Sequence, residues 1–245
     1  MLPPMSLVHV ITALLYPPAC LVCRRRIPSG ESLCAACLAG IPRVGLPICT
    51  RCGLWLSGAF DARLICRTCR ERPLAFDAAR APWEYAGVAK HVIQHFKYHR
   101  RWRVGQRIAE DMARCARTLL PLAEVDAIIP VPLHWLKRRL RGFDSTAQLA
   151  RSVATAMEKP YRPGVVSRRR WTATQTARRW HQRFRNVHGA FTATRRAVEG
   201  RTLLVIDDVL TSGATADACA RALKEAGARA VFVLTAARTP VTHGK

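Results

Sequence analysis

Leu203-Leu204-Val205-Ile206-Asp207-Asp208-Val209-Leu210-Thr211-Ser212-Gly213-Ala214-Thr215 is the stretch on which the fold of this 245-residue chain turns. Its apolar start, Leu203 to Ile206, predicts a buried strand, and two acids stand at the strand's carboxyl end. A short loop with two hydroxyls and one glycine follows. From Ala214 a helix is predicted, with Cys219, Ala222, Leu223 and Ala226 on one face and Gly227 as its stop. Strand, loop and helix N-terminus in that order make an anion site in open α/β proteins, because free N–H groups and the helix dipole both favour negative charge. Carboxylates beside it suit a polyol or a divalent cation. A sugar phosphate meets both demands. The plainer reading is a buried strand followed by a capped helix, and the three-dimensional setting separates the two.

The neighbouring segments read the same way. Val125 to Ile129 predicts a strand running into Pro130-Val131-Pro132-Leu133-His134, where two prolines stop it. Lys137-Arg138-Arg139-Leu140-Arg141 then concentrates cations ahead of Gly142-Phe143-Asp144. It is either an anion-facing loop or a solvated basic turn. Ser145 to Met157 predicts a helix, as do Gly87 to Phe96 and the spacing of Val104, Ile108, Met112, Cys115 and Leu119. Ala230 to Thr235 is the last predicted strand. Strands alternating with helices imply an α/β domain with a parallel sheet flanked by helices.

Eight of the ten cysteines form four C-x-x-C pairs: Cys20/Cys23, Cys34/Cys37, Cys49/Cys52 and Cys66/Cys69. Eight thiolates at this spacing make two tetrahedral Cys₄ zinc sites. Disulfides fit less well because nothing marks secretion, and an iron–sulfur cluster explains two quartets less simply. The short gaps favour consecutive quartets over a cross-braced arrangement. All four positions of each site are filled, so the metals read as structural. Cys115 and Cys219 read as buried small hydrophobes. The chain divides into residues 1–75, a double zinc ribbon with a short N-terminal helix over Leu7–Tyr16, and residues 76–245, entered through a linker from Pro73 to Trp83.

Lys and Arg total 40 against 16 Asp and Glu, a net charge of +24 that favours polyanionic partners. No apolar run is long enough to span a membrane, and the start lacks a signal-peptide pattern, so the cytoplasm is the expected location. Between Lys159 and Val198 there is no acid, while Trp171, Trp180, Phe184 and Phe191 are interleaved with basic residues such as Arg178, Arg179, Arg183 and Arg185. Three uses compete: a basic hood over a phosphorylated substrate, a single-stranded nucleic-acid surface, or a solvated helix with its aromatics inward.

The thirteen residues quoted first resemble the phosphoribosyl pyrophosphate (PRPP) signature of type I phosphoribosyltransferases. The resemblance implies that Asp207 and Asp208 serve the ribose hydroxyls and the Mg²⁺ neighbourhood. It gives the 5′-phosphate to Thr211, Ser212, Gly213, Ala214 and Thr215. The basic loop with Arg138, Arg139 and Arg141 would hold pyrophosphate, with Val131 in the same loop region contacting the ligand.

Tyr85-Ala86-Gly87, Phe96-Lys97-Tyr98, Pro130 to His134, Arg141 to Asp144, Gln175, Arg183, Asn186 and the four cysteine pairs extend the likeness over nearly the whole chain. Together they resemble the ComF (competence protein F) family, which includes the GntX-type proteins. Asp144 stands where that family usually has Asn. Arg168 to Asn186 resembles the hood of amidophosphoribosyltransferases, but a zinc module replaces their glutaminase domain, so no glutaminase activity is expected. The family resemblance implies a role in DNA uptake or utilisation during natural transformation. It also implies single-stranded DNA, and a competence helicase or other DNA-uptake proteins, as partners. Two readings stand: a Mg²⁺-dependent phosphoribosyltransferase, or a non-catalytic DNA-binding protein that uses the pocket to sense PRPP or a nucleotide.

Overall fold

A computed structural model of the chain describes residues 18–57, 64–99, 102–133, 139, 143–170 and 180–240. The expected helix over 7–16, Arg138, Arg141 and residues 171–179 lie outside these. Two short helices, α1 (Ala35–Ala39) and α2 (Arg67–Glu71), lie in the cysteine-rich part. There follow β1 (Ala78–Arg80), β2 (Trp83–Glu84), α3 (Gly87–His99), α4 (Trp102–Leu119), β3 (Ala127–Pro130) and α5 (Ser145–Met157). The chain then forms β4 (Val166–Arg168), α6 (Trp180–Val187), β5 (Phe191–Ala193), α7 (Arg195–Val198), β6 (Thr202–Leu210), α8 (Ala214–Glu225) and β7 (Ala230–Arg238).

The main sheet is parallel throughout, in the order β1-β7-β6-β3, with β2 also pairing with β7. Alternation along β6 sends Leu204 and Ile206 to one face, and Leu203 and Val205 to the other. The first face packs on Ile93, Phe96, Ile108, Met112, Leu149 and Val153 of α3, α4 and α5. The second packs on Ala216, Cys219, Ala220 and Leu223 of α8, and on Val166, Phe184 and Phe191. Covering both faces explains why the strands are apolar runs and not alternating ones. The expected α/β architecture is therefore present.

Sequence periodicity placed α5 at Ser145–Met157, its observed span. Asp144 starts it by accepting the Ala147 N–H at 2.9 Å, an N-cap that aspartate serves as well as asparagine. Two expectations change. The segment read as a linker holds β1 and β2, each too short to show a period. β6 does not stop at the acids, because Val209 and Leu210 pair with Ala237 and Arg238 of a β7 longer than its apolar run. Among the described residues, no helix is long and apolar enough to cross a membrane.

The cysteine-rich part lies against the β1/β2 edge. The Ala79 N–H donates to the Arg51 carbonyl at 2.7 Å, and the Glu84 N–H to the Pro42 carbonyl at 2.9 Å. Gly53, at φ 66, sits so close that a Cβ would lie 2.5 Å from the Ala79 oxygen. Buried Asp111 of α4 accepts Trp83 Nε1 at 2.8 Å and Arg43 Nη1 at 2.7 Å. Cys20, Leu21 and Ile41 join the core of one face, and Cys49, Cys52, Cys66 and Cys69 that of the other.

Candidate functional site

The two acids lie on β6 above the sheet core. Asp207 Oδ1 accepts the Asp208 N–H at 2.8 Å. Burial, reinforced by the Asp208 charge, pushes the Asp207 carboxyl up from 3.8 to about 7, against the pull of that N–H, Lys97 and Arg168. Lys97, from the last turn of α3, sits 2.9 Å from Asp208 Oδ2, with side chains only 18% and 16% exposed. Burial opposes the Lys97 ammonium, but the charge and hydrogen bond of Asp208, with Asp207 behind, raise it overall. Burial lowers the Arg168 guanidinium, and the Asp207 charge opposes that. The acid pair is thus flanked by two cations from distant elements.

The loop turns at Gly213, whose φ of 81 is a left-handed conformation open to glycine at little cost. A Cβ there would meet only the Phe76 ring at 3.9 Å, so the backbone angle, not space, demands glycine. Ser212 Oγ accepts the Ala214 N–H at 3.3 Å, and the Asp217 N–H donates to the Gly213 carbonyl at 2.8 Å, starting α8. The first turn of α8, with Thr215 and Ala216, carries N–H groups that have no carbonyl four residues earlier within the helix. Arg238 braces the loop from below, donating from Nη1 to the carbonyls of Leu210 at 2.9 Å and Thr211 at 2.5 Å. The structure therefore brings Asp207, Asp208 and Thr211–Thr215 into one strand–loop–helix unit.

Val131 is buried, and its N–H donates to the Ile206 carbonyl at 2.9 Å. Arg139 is exposed. Lys97 enters the sequence analysis only within the family pattern Phe96-Lys97-Tyr98, with no role assigned to it. Its real signal is long-range, since its partner lies at position 208.

The cysteines form the consecutive quartets: Cys20, Cys23, Cys34 and Cys37, then Cys49, Cys52, Cys66 and Cys69. Within each, the sulfurs lie within 4.8 Å of one another. Cys23 and Cys34 are 3.6 Å apart and Cys52 and Cys66 3.7 Å. A tetrahedral zinc with bonds of about 2.3 Å separates its sulfurs by about 3.8 Å. The N–H of Cys37 points at Cys34 Sγ (3.4 Å), and those of Cys52 and Cys66 at Cys49 Sγ (3.5 and 3.4 Å), as thiolate ligands require. Four sulfurs this close would repel one another as thiolates, and a divalent cation at their centre removes that repulsion. The donors fit zinc in both places. Cys219 is buried and pushed up to about 12 by that burial, an inert packing thiol, while Cys115 is half-buried.

The model of the family described as Double zinc ribbon domain matches residues 11–72. DNA utilization protein YhgH of Escherichia coli K12 is 30% identical over 234 residues, covering 92% of this chain and 99% of that one. Competence protein F of Haemophilus influenzae is 25% identical, covering 89% and 96%. Amidophosphoribosyltransferase of Escherichia coli K12 is 24% identical over 187 residues, 75% of this chain but 34% of that one. With its double zinc ribbon, its parallel α/β sheet and 30% identity to YhgH over nearly the whole length of both chains, the chain belongs to the ComF family of DNA utilization and competence proteins.

Proposed function

We propose that this protein binds PRPP, or a related phosphorylated ribose, together with Mg²⁺ at the end of β6, and that this binding serves DNA uptake or utilisation. The observation that carries the reading is the acid pair near the carboxyl end of β6, followed within one short loop by a left-handed glycine and the first turn of α8. The 5′-phosphate takes the N–H groups of Thr211 to Thr215, and Asp207 and Asp208 accept the ribose hydroxyls. Their carboxylate oxygens also suit Mg²⁺, which would neutralise charge beside the diphosphate. Arg138, Arg139 and Arg141 supply cations for the pyrophosphate. In the catalytic version, the bond from ribose C1′ to pyrophosphate breaks, pyrophosphate leaves with the electron pair, and the acceptor's lone pair forms the new C1′ bond while its proton goes to solvent. Calorimetry of PRPP with Mg²⁺ tests the site: binding should be lost in Asp207→Asn with Asp208→Asn, and equal affinity in the double variant sinks the assignment. Pyrophosphate release with a panel of bases and nucleotides separates the transferase from the sensor.

A second activity, single-stranded DNA binding, is favoured by Tyr98 and Trp102, which are 60% and 49% exposed on either side of His99-Arg100-Arg101. Exposed aromatics between cations stack bases without regard to sequence. The names of the relatives agree with such a partner.

A further inference from the structure

The carboxyl end of β7 stands between the loop after β6 and the second cysteine quartet. One side chain reaches both. The two N–H groups of Arg238 Nη1 are shared among the carbonyls of Leu210, Thr211 and Thr239, at 2.9, 2.5 and 3.2 Å. Its Nη2 lies 3.9 Å from Cys52 Sγ, which is itself 3.7 Å from Cys66 Sγ. The loop is tied to the same strand end a second time, since the Thr239 N–H donates to the Leu210 carbonyl at 3.0 Å. The quartet cannot slide independently of the sheet. Arg80 Nη1 donates to the Thr50 carbonyl at 3.0 Å, and Arg51 holds the Ala79 N–H. Gly53 fills the remaining gap against β1.

We infer that Arg238 is a positioning residue that couples the second Cys₄ cluster to the phosphate loop, so that a ligand in the loop is felt at Cys52. The guanidinium is a rigid fork, and carbonyls drawn by a ligand move the whole fork, including the arm beside the sulfur. Lysine keeps the charge but cannot hold three carbonyls and face a thiolate together. The first cluster has no such link through Arg238. This inference rests on reading the loop as a phosphate site.

The test replaces zinc by the NMR-active cadmium isotope and titrates PRPP with Mg²⁺, with calorimetry in parallel. One cadmium signal per quartet is expected, assigned by the signal lost in Cys34→Ser. PRPP should move the second-cluster signal and leave the first in place. Arg238→Lys should weaken PRPP about tenfold, the loss of one hydrogen bond to a charged group, and should abolish the movement at saturating PRPP. A wild-type second signal that stays put while calorimetry shows binding overturns the coupling and leaves the phosphate site standing. So does Arg238→Lys with unchanged affinity and unchanged movement. No PRPP binding by the wild type overturns the site and the coupling together. If Arg238→Lys does not fold, the wild-type titration alone decides.

Discussion

Lys97 and Asp208, 111 positions apart, meet at 2.9 Å in a part of the molecule where both side chains are mostly closed to water. Lys97 pairs with Asp208, while Arg168 acts on Asp207, and the carboxylate oxygens of the two acids remain suited to a further cation or a ligand hydroxyl. Lys97→Met should remove the compensation and cost about 2–4 kcal/mol, because a lone buried charge is worse than either a pair or none. Mg²⁺ should raise the melting temperature of this variant more than that of the wild type. An equal response in both would show that Lys97 does not share the charge of the acid pair.

The raised Asp207 carboxyl makes a pH prediction. Its folded value of about 7 lies above the ordinary 3.8, so the folded state binds a proton that the unfolded state has released. The contribution is complete below about pH 4 and is lost as pH rises through about 7. The rise corresponds to about 4 kcal/mol as an upper bound. Asp207→Asn should therefore be more stable than the wild type at pH 8, and the advantage should shrink towards pH 4. Urea melts of both proteins across that range check this. A constant difference at all pH values would contradict it.

The two cysteine quartets should not be equal in stability. The second is buried at all four positions and shares the core of β6, β7 and α8, whereas the first is buried only at Cys20. Cys49→Ser should lower the melting temperature by about 10 °C or more, in keeping with loss of a metal from a core. Cys34→Ser should lower it less. Elemental analysis should find two zinc ions in the wild type and one in each variant. A larger fall for Cys34→Ser would reverse this ranking.

Single-stranded oligonucleotide binding should depend on Tyr98 and Trp102. Each stacked base contributes roughly 1–3 kcal/mol, so Trp102→Ala should weaken binding by about tenfold or more. The dependence on salt should keep its slope, about −0.7 per phosphate contact, because no cation is removed. A titration across a salt series reads both quantities. A changed slope with unchanged stacking, or no effect at all, removes these aromatics from the interface.

Much of this was legible from local pattern. The stretch from Leu203 to Thr215 carried its strand, loop and helix because each rests on neighbours in sequence. The four cysteine pairs carried their quartets because the gaps were short. What could not be read were the meetings between distant residues: Lys97 with Asp208, Asp111 with Trp83 and Arg43, and Arg238 with Cys52. Each involves a charged residue that looks like solvated surface until the fold buries it. β1 and β2 were missed for another reason. Strands of three and two residues carry no period, and they exist because β7 offers them an edge.

That edge has a consequence for the cell. The ribbon backbone at Pro42 and Arg51 occupies N–H groups of β2 and β1 that would otherwise face outward. An uncovered strand edge is a template for another chain. Zinc starvation would therefore do more than loosen a small module. It would expose the flank of a parallel sheet, and the expected fate of such molecules is edge-to-edge aggregation and removal by proteases.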